Sequence, residues 1–432
     1  MPLFCDFHFH SKYSRAVSPS MSLEGLAEGA ARKGLGLLGT GDFLHPLWFG
    51  ELKRKLVETE AGSGVFRLKN GRFAARFILT NEVSTIISTP KGVKKAHHII
   101  HAPSFEIVEQ ISDRLSKMGN LSADGRPMFG NTSSAQMAEL VFETSRDCLL
   151  YAAHCWTPWF SALGSNSGYD SLEECYEDQV KNIRALETGM SSDPAMNWRV
   201  SSLDKFALLS NSDSHSPYPW RLGRECNAFN FTADEVTFGK LNDAIIKKGR
   251  DKFLYTVEVN PGYGKYHFDG HRLCGFSCAP AESKRLGGKC PVCGGKLTIG
   301  VQYRVEELAD RPDGFVPPGA IPFKTLLPLH EVVSAVMGSA LSSKKVMETA
   351  DSLINVFGNE LNVLLNVEGG ELLKHSNEQI AEAVLLNREG KIEVRPGFDG
   401  EYGVPTIAKG NARKKRPGNE DSKSQKGLQD YF

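Results

Sequence analysis

The chain has 432 residues, of which 41% are hydrophobic and 24% charged, a composition that suits an ordinary soluble protein of two or three globular domains with real cores. Its 51 basic and 51 acidic side chains balance to zero, which excludes a global positive excess announcing nucleic acid or a membrane, so partners have to be argued from local sites. No apolar run approaches bilayer length, and the N-terminus enters a metal-type motif within ten residues instead of a signal peptide; a cytoplasmic protein with no membrane partner is expected.

From residue 1 to about 235, short apolar runs alternate with amphipathic stretches, the pattern of repeated strand and helix units, so an α/β barrel or doubly wound sheet is expected. Ser22 precedes Leu23, Leu26, Ala27, Ala30 and Ala31 at helical spacing, and Gly34 ends that helix before an apolar strand at 35–40. Further strands are predicted at 77–80, 97–102, 149–154, 183–187 and 206–210. Nearly all carry a polar, ligand-type residue at the C-terminal end, where a barrel of parallel strands gathers its active site. A helix at 235–248 and a strand at 253–259 lead into a cysteine cluster. Helical patterns follow at 329–338, 343–357 and 377–388. The expected domains are 1–235, catalytic; 236–315, a connecting helix and strand with a Cys/His segment; 316–409, helical; and 410–432, a polar tail without a fixed structure.

His8 and His10, two apart on an extended segment, turn both imidazoles to one face. Asp42 and His45 follow in GTGDFLH, Glu82 after FILT, His97 in HHIIH, His154 after LLYAA, and Asp213 with His215 in SDSH. Mixed imidazole and carboxylate ligands suit two or three divalent ions, zinc first, with manganese or magnesium as alternatives, and such ions bind a phosphate between them. Glu82 is the choice for a carboxylate bridging two ions, and Glu82 and Asp213 are the expected catalytic residues. A lone histidine is more often a core or surface residue than a ligand. Eight of the twelve histidines, however, lie before residue 216, most at strand ends beside Asp or Glu. The structural explanation stays open for His98 and His101.

Four of the nine cysteines fall between 274 and 293, which favours a metal site over disulfides. Cys290 and Cys293 form a CxxC knuckle, and His271 with Cys274 offer the same gap; Cys278 or His267 is an alternative fourth ligand. One structural zinc is expected here. A redox CxxC lacks the surrounding thioredoxin-like βαβ context.

The ordered set His8 and His10, Asp42, Glu82, His97, His154, then Asp213 with His215 resembles the polymerase-and-histidinol-phosphatase (PHP) family over the first half of the chain. Two positions depart from that pattern: the TDH-like element reads TGDFLH, and Ser14 stands where many members have histidine. The family's distorted barrel of seven strand and helix units, with metals at the C-terminal strand ends, is the implied fold. The stretches HCWTPWFSALGSNSGYDSLEEC, SSDPAMNWRVSSLDKF, SNSDSHSP, CPVCGGKLTIGVQYRVEELADR and PFKTLLPL are similar to the endonuclease Q family, which joins a PHP domain to a zinc-binding insertion and a helical C-terminal domain. That resemblance implies a nucleoid-associated repair enzyme incising DNA 5′ to deaminated bases (uracil, hypoxanthine, xanthine) and at abasic sites. An extruded base needs a pocket, for which Trp156, Trp159, Asn197 and Trp198 are the candidates.

The terminal QKGLQDYF sets Gln425, Leu428, Tyr431 and Phe432 at the spacing of the motif by which repair proteins dock on a sliding clamp of the PCNA type. It points to archaeal origin. Two other readings are weighed against the endonuclease: a PHP phosphatase of small phosphate esters, to which the zinc segment and tail would be superfluous, and a non-catalytic, clamp-bound repair scaffold, which a near-complete ligand set argues against.

Overall fold

The computed structural model describes residues 2–407. Ten strands carry the architecture: β1 Leu3–Asp6, β2 Leu37–Gly39, β3 Arg76–Thr89, β4 Gly92–Ala102, β5 Leu149–Ala152, β6 Ala185–Glu187, β7 Ala207–Leu209, β8 Cys226–Phe229, β9 Phe253–Glu258 and β10 Phe323–Thr325. They lie in one sheet in the order β7-β6-β5-β4-β3-β2-β1-β8-β9-β10. The sheet curls until its β7 edge reaches β1: Phe9, beyond β1, bridges Ser214, beyond β7, and the Phe7 amide donates to Asn211 Oδ1 at 3.0 Å.

Period-two alternation builds the curl. Leu3 and Cys5, Leu37, Ile78, Ile99, Leu149 and Tyr151 face one core, while Phe4, Leu38, Phe77, Leu79 and Leu150 face the other. The helix Phe238–Lys247 plugs the inner core with Phe238, Leu241, Ala244 and Ile245. On β3 the inward face runs Ile78, Thr80, Glu82, from apolar core to polar mid-strand.

The α/β expectation and the helical C-terminal region hold, but the sheet is mixed. β3 does not stop at residue 80; it continues to Thr89 and returns as β4 in a hairpin, so β3 and β4 are antiparallel, as are β4 and β5. Glu82 therefore lies inside a strand, not after one. β9 and β10 also carry the sheet on from β8 past residue 235, β9 pairing antiparallel with β8 and in parallel with β10. Among the described residues no helix is long and apolar enough to cross a membrane.

The helix Leu23–Lys33 begins where expected, with the Gly25 amide donating to Ser22 Oγ at 3.1 Å, a cap worth about 1 kcal/mol. It ends at Gly34, φ 101°, where a Cβ would lie 2.5 Å from Asn359 Oδ1. That close approach brings in the C-terminal helices Leu329–Met337, Lys344–Phe357, Glu360–Leu365, Gly369–His375 and Glu378–Arg388. The first, second and fifth of these lie close to the expected spans at 329–338, 343–357 and 377–388; the third and fourth, six and seven residues long, carry too few turns to show a period. Lys33, 1% exposed, donates to Glu360 Oε1 and to the Pro219 carbonyl, each at 2.6 Å, and so pins the first helix to the C-terminal region. Burial raises the Glu360 carboxyl, but the Lys33 charge holds it below its ordinary range.

Removing one partner leaves a buried charge alone. Lys33→Met should lower unfolding free energy by about 3–5 kcal/mol in denaturant titration, and adding Glu360→Met should restore most of it. An unaltered midpoint for the single variant would contradict the pinning role.

Candidate metal centre

Seven of the predicted ligands converge at the polar end of the curled sheet. Donor atoms of His8, His10 and Glu82, of His10, Asp213 and His215, and of Glu82, His97 and His154 each lie within 4.8 Å of one another. Glu82 is the hub. Its Oε2 is 3.2 Å from His10 Nε2 and 3.6 Å from His8 Nε2, and its Oε1 is 2.7 Å from His97 Nδ1 and 3.2 Å from His154 Nε2. Asp213 Oδ1 stands 3.6 and 3.5 Å from the same nitrogens of His8 and His10.

The donor set passes a chemical test for metal. His8 Nε2, His10 Nε2 and Asp213 Oδ1 are buried and have no hydrogen-bond partner among the described residues. Buried polar atoms are nearly always satisfied, and three orphans that converge are what a shared cation satisfies. Burial raises the carboxyls of Glu82 and Asp213, but the charges around them hold both well below the usual range: His97, Arg126 and His8 for Glu82, chiefly His8 for Asp213. Burial pushes His97 and His215 down to about 4, against the charges of Glu82 and Asp213, which raise them.

Outer groups aim the rings. Asp42 is brought to the site as a support: its carboxylate faces His10 Nδ1 at 3.1 Å and accepts from the Ser11 amide at 2.6 Å and the Ser14 hydroxyl at 2.8 Å. Ser14, where many PHP members carry histidine, thus completes a carboxylate cradle. His45 is not among the converging donors. Phe43 and Leu44, both buried, seat the turn in the core, and His45 leads into the helix Pro46–Lys55 with its ring stacked on Tyr13 at 4.7 Å. His98 and His101 are core histidines: His98 bonds Thr85 Oγ1 and the Tyr176 hydroxyl, His101 bonds the Tyr151 hydroxyl, and burial pushes both down to about 3.

Two residues that contact the cluster escaped the sequence reading. Glu187, the last residue of β6, is fully buried, holds His8 Nδ1 at 3.0 and 3.1 Å, and accepts from the His154 amide and Asn211 Nδ2 at 3.0 Å each. Its signal was its place at a strand end. Arg126, in a loop with no motif, reaches Glu82 Oε2 at 3.2 Å and is the one cation in contact with the cluster among the described residues. Gly125 lets that loop lie over the cradle, since a Cβ there would stand 2.2 Å from both Asp42 Oδ2 and Ser14 Oγ.

The proposed base pocket is largely not formed by these residues. Trp156 is 1% exposed and donates its indole N–H to Asn197 Oδ1 at 2.8 Å, and Asn197 spends its amide on Ser192 Oγ and the Asp193 carbonyl. Trp198 packs on Phe323 and lines a cavity of about 60 Å³, far below the ~300 Å³ of ligand pockets. Only Trp159, 40% exposed, presents a free surface.

In the cysteine segment, donor atoms of His271, Cys274, Cys290 and Cys293 lie within 4.8 Å of one another. Burial raises the Cys290 thiol, but the backbone amides of Cys293 and Val292 hold it down to about 7, as in a metal knuckle. The alternatives lie elsewhere: Cys278 is packed with Leu297 in a small core, and His267 faces the Ser191 carbonyl at 3.3 Å. Gln425, Leu428, Tyr431 and Phe432 lie outside the described residues.

The fold is a curled α/β sheet with a histidine and carboxylate cluster and a helical C-terminal region, the PHP-type architecture expected from the sequence. Residues 328–391 match the family model of the MJ0043 C-terminal domain. The lesion-specific endonuclease PfuEndoQ from Pyrococcus furiosus is 34% identical with a TM-score of 0.82, over 94% of this chain and 96% of that one. An endonuclease Q solved with a 27-mer duplex substrate bearing an abasic lesion at the active site is 33% identical with a TM-score of 0.84, over 94% of this chain and 97% of that one. The uncharacterized protein MJ0043 of Methanocaldococcus jannaschii is 36% identical over 252 residues, 58% of this chain, which span only 31% of that protein. The chain belongs to the endonuclease Q family.

Orienting groups of this kind contribute 10- to 100-fold to metal affinity. Glu187→Gln should weaken metal retention by about that factor in competition with a chromophoric chelator; wild-type retention would remove Glu187 from the centre.

Proposed function

We propose that the chain is a metal-dependent DNA repair endonuclease that hydrolyses the phosphodiester 5′ to deaminated bases (uracil, hypoxanthine, xanthine) and to abasic sites. The observation that carries this reading is the match, over nearly the whole chain, to an endonuclease Q bound to an abasic duplex, together with a cluster in which seven ligand-type side chains converge. His8, His10, Glu82, His97, His154, Asp213 and His215 would hold two or three divalent ions, with zinc the first choice. When bound, such ions supply a hydroxide near neutral pH and neutralise charge building on the phosphate.

The chain's own groups do the rest. Glu187 and Asp42 hold the Nδ1 sides of His8 and His10, so both Nε2 atoms face inward before substrate arrives. Arg126 places a permanent positive charge beside Glu82, suited to a developing negative charge on a phosphoryl oxygen. The Asp213 side chain, 35% exposed, marks the open side from which a nucleic acid approaches. His271, Cys274, Cys290 and Cys293 would hold one structural zinc, stabilising a segment whose own core is three residues, Cys278, Cys290 and Leu297. Through Gln425, Leu428, Tyr431 and Phe432 the tail would dock on a sliding clamp of the PCNA type, the arrangement expected in an archaeal cell.

The test uses metal-loaded protein and labelled duplexes carrying uracil, hypoxanthine, an abasic site or no lesion. Nicking 5′ to the lesion is expected, and Asp213→Ala should slow it on the order of a thousandfold, the several kcal/mol of a lost ligand. Hydrolysis of a small phosphomonoester without lesion-dependent nicking would replace this reading with the phosphatase.

A further inference from the structure

The loop that follows Asp213 carries a charged group that the metal centre does not use. Arg221, Arg224 and Lys265 converge on Tyr402. Arg224 Nη1 is 3.4 Å from the phenol oxygen, the Arg221 guanidinium is 5.3 Å from the ring centroid, and the Lys265 ammonium is 4.7 Å from it. Arg224, 6% exposed, donates from Nε and Nη2 to the Ser212 carbonyl at 3.0 and 2.9 Å. Those bonds tie the group to the backbone one residue before the ligand Asp213.

Three cations this close repel one another unless an anion sits among them. Among the described residues none of the three forms an ion pair with a carboxylate; Glu225, next to Arg224, accepts the Val259 amide through Oε1, and three other nearby carboxylates are committed elsewhere. Glu331 accepts the Tyr263 hydroxyl, Asp399 accepts the Arg272 amide and the Thr298 hydroxyl, and Asp213 faces His8 and His10. Arg221 Nη1 is buried with no partner among those residues. The phenol registers the excess field: burial raises it, yet Arg224, Arg221 and Lys265 hold Tyr402 down to about 8.

We propose that Arg221, Lys265 and Arg224 form a subsite for a backbone phosphate of the DNA strand, adjacent to the phosphate that is cut. The inference rests on the reading of the chain as a DNA endonuclease. A phosphodiester brings one negative charge and acceptor oxygens that match a guanidinium fork and an ammonium together. Such contacts set the register of a strand without reading its bases, so they act equally on damaged and intact duplexes. The link through Ser212 connects strand placement to the backbone that presents Asp213.

The experiment measures binding of fluorescent abasic and undamaged duplexes by anisotropy across a salt series. It compares the wild type, Arg221→Met/Lys265→Met, and the charge-keeping Arg221→Lys/Lys265→Arg, with bound metal per chain determined for each. The methionine variant should lower the slope of log affinity against log salt by about 1 and weaken both duplexes alike, with metal content unchanged. The charge-keeping variant should retain the wild-type slope. An unchanged slope in the methionine variant overturns the subsite, and so does loss of bound metal, which would make these residues supports of the centre. Thermal stabilisation by inorganic phosphate that the methionine variant loses while its DNA slope stays wild-type would assign the group to free phosphate and overturn the DNA proposal. A wild type that binds duplexes but nicks no lesion refutes the endonuclease reading alone, because the slope is read from binding.

Discussion

A single carboxylate, Glu82, sets the terms for the rest of the catalytic half. It is 2% exposed, faces four imidazoles and is held ionised against burial by His97, Arg126 and His8. An ionised carboxylate out of water costs several kcal/mol unless its neighbours compensate it. The compensation is spread over the sheet: His8 and His10 follow β1, His97 comes from β4, His154 follows β5, and Arg126 lies in the segment between β4 and β5. The curl of the sheet is what brings these strand ends within reach of one atom pair.

Backbone strain follows from the same demand. Asp42, His154 and Asp213 all adopt positive φ, at 47°, 27° and 46°, a conformation costing of order 1 kcal/mol or more for a residue with a side chain. Each is over-determined locally. Asp42 is gripped by Ser11, Ser14 and His10, the His154 amide by Glu187, and the chain around Asp213 by Arg224 on the Ser212 carbonyl. Glu187 has the widest reach of these, because one carboxylate holds the ring of His8 and the backbone of His154.

Much of this was legible before the structure. The helix after Ser22, the strand ends and the convergence of seven ligand types follow from period and spacing, which are local properties. The cysteine knuckle follows from a fixed gap. What stayed hidden depends on tertiary geometry. The β3–β4 hairpin was invisible because both strands read as separate apolar runs, and only pairing shows that Glu82 sits mid-strand. His45 matched a motif by order, yet two buried residues between it and Asp42 carry it onto a helix start. Trp156 and Asn197 looked like a pocket and are each other's hydrogen-bond partners. Arg126 had no local signature at all.

The C-terminal helices are tied to the first half by the Lys33–Glu360 pair, and the chain just after the Cys/His segment by Ser165 on the Ile299 carbonyl and Arg304 on the Leu163 and Tyr169 carbonyls. The account is tested most directly at its hub. Metal-loaded wild type and Glu82→Gln, freed of excess ions, should be compared by elemental analysis of bound metal per chain. Because Glu82 belongs to two of the three ligand groups of the proposed centre, the variant should lose the ions proposed there and keep only the one proposed for the Cys/His site. A full complement of metal in Glu82→Gln would contradict the account.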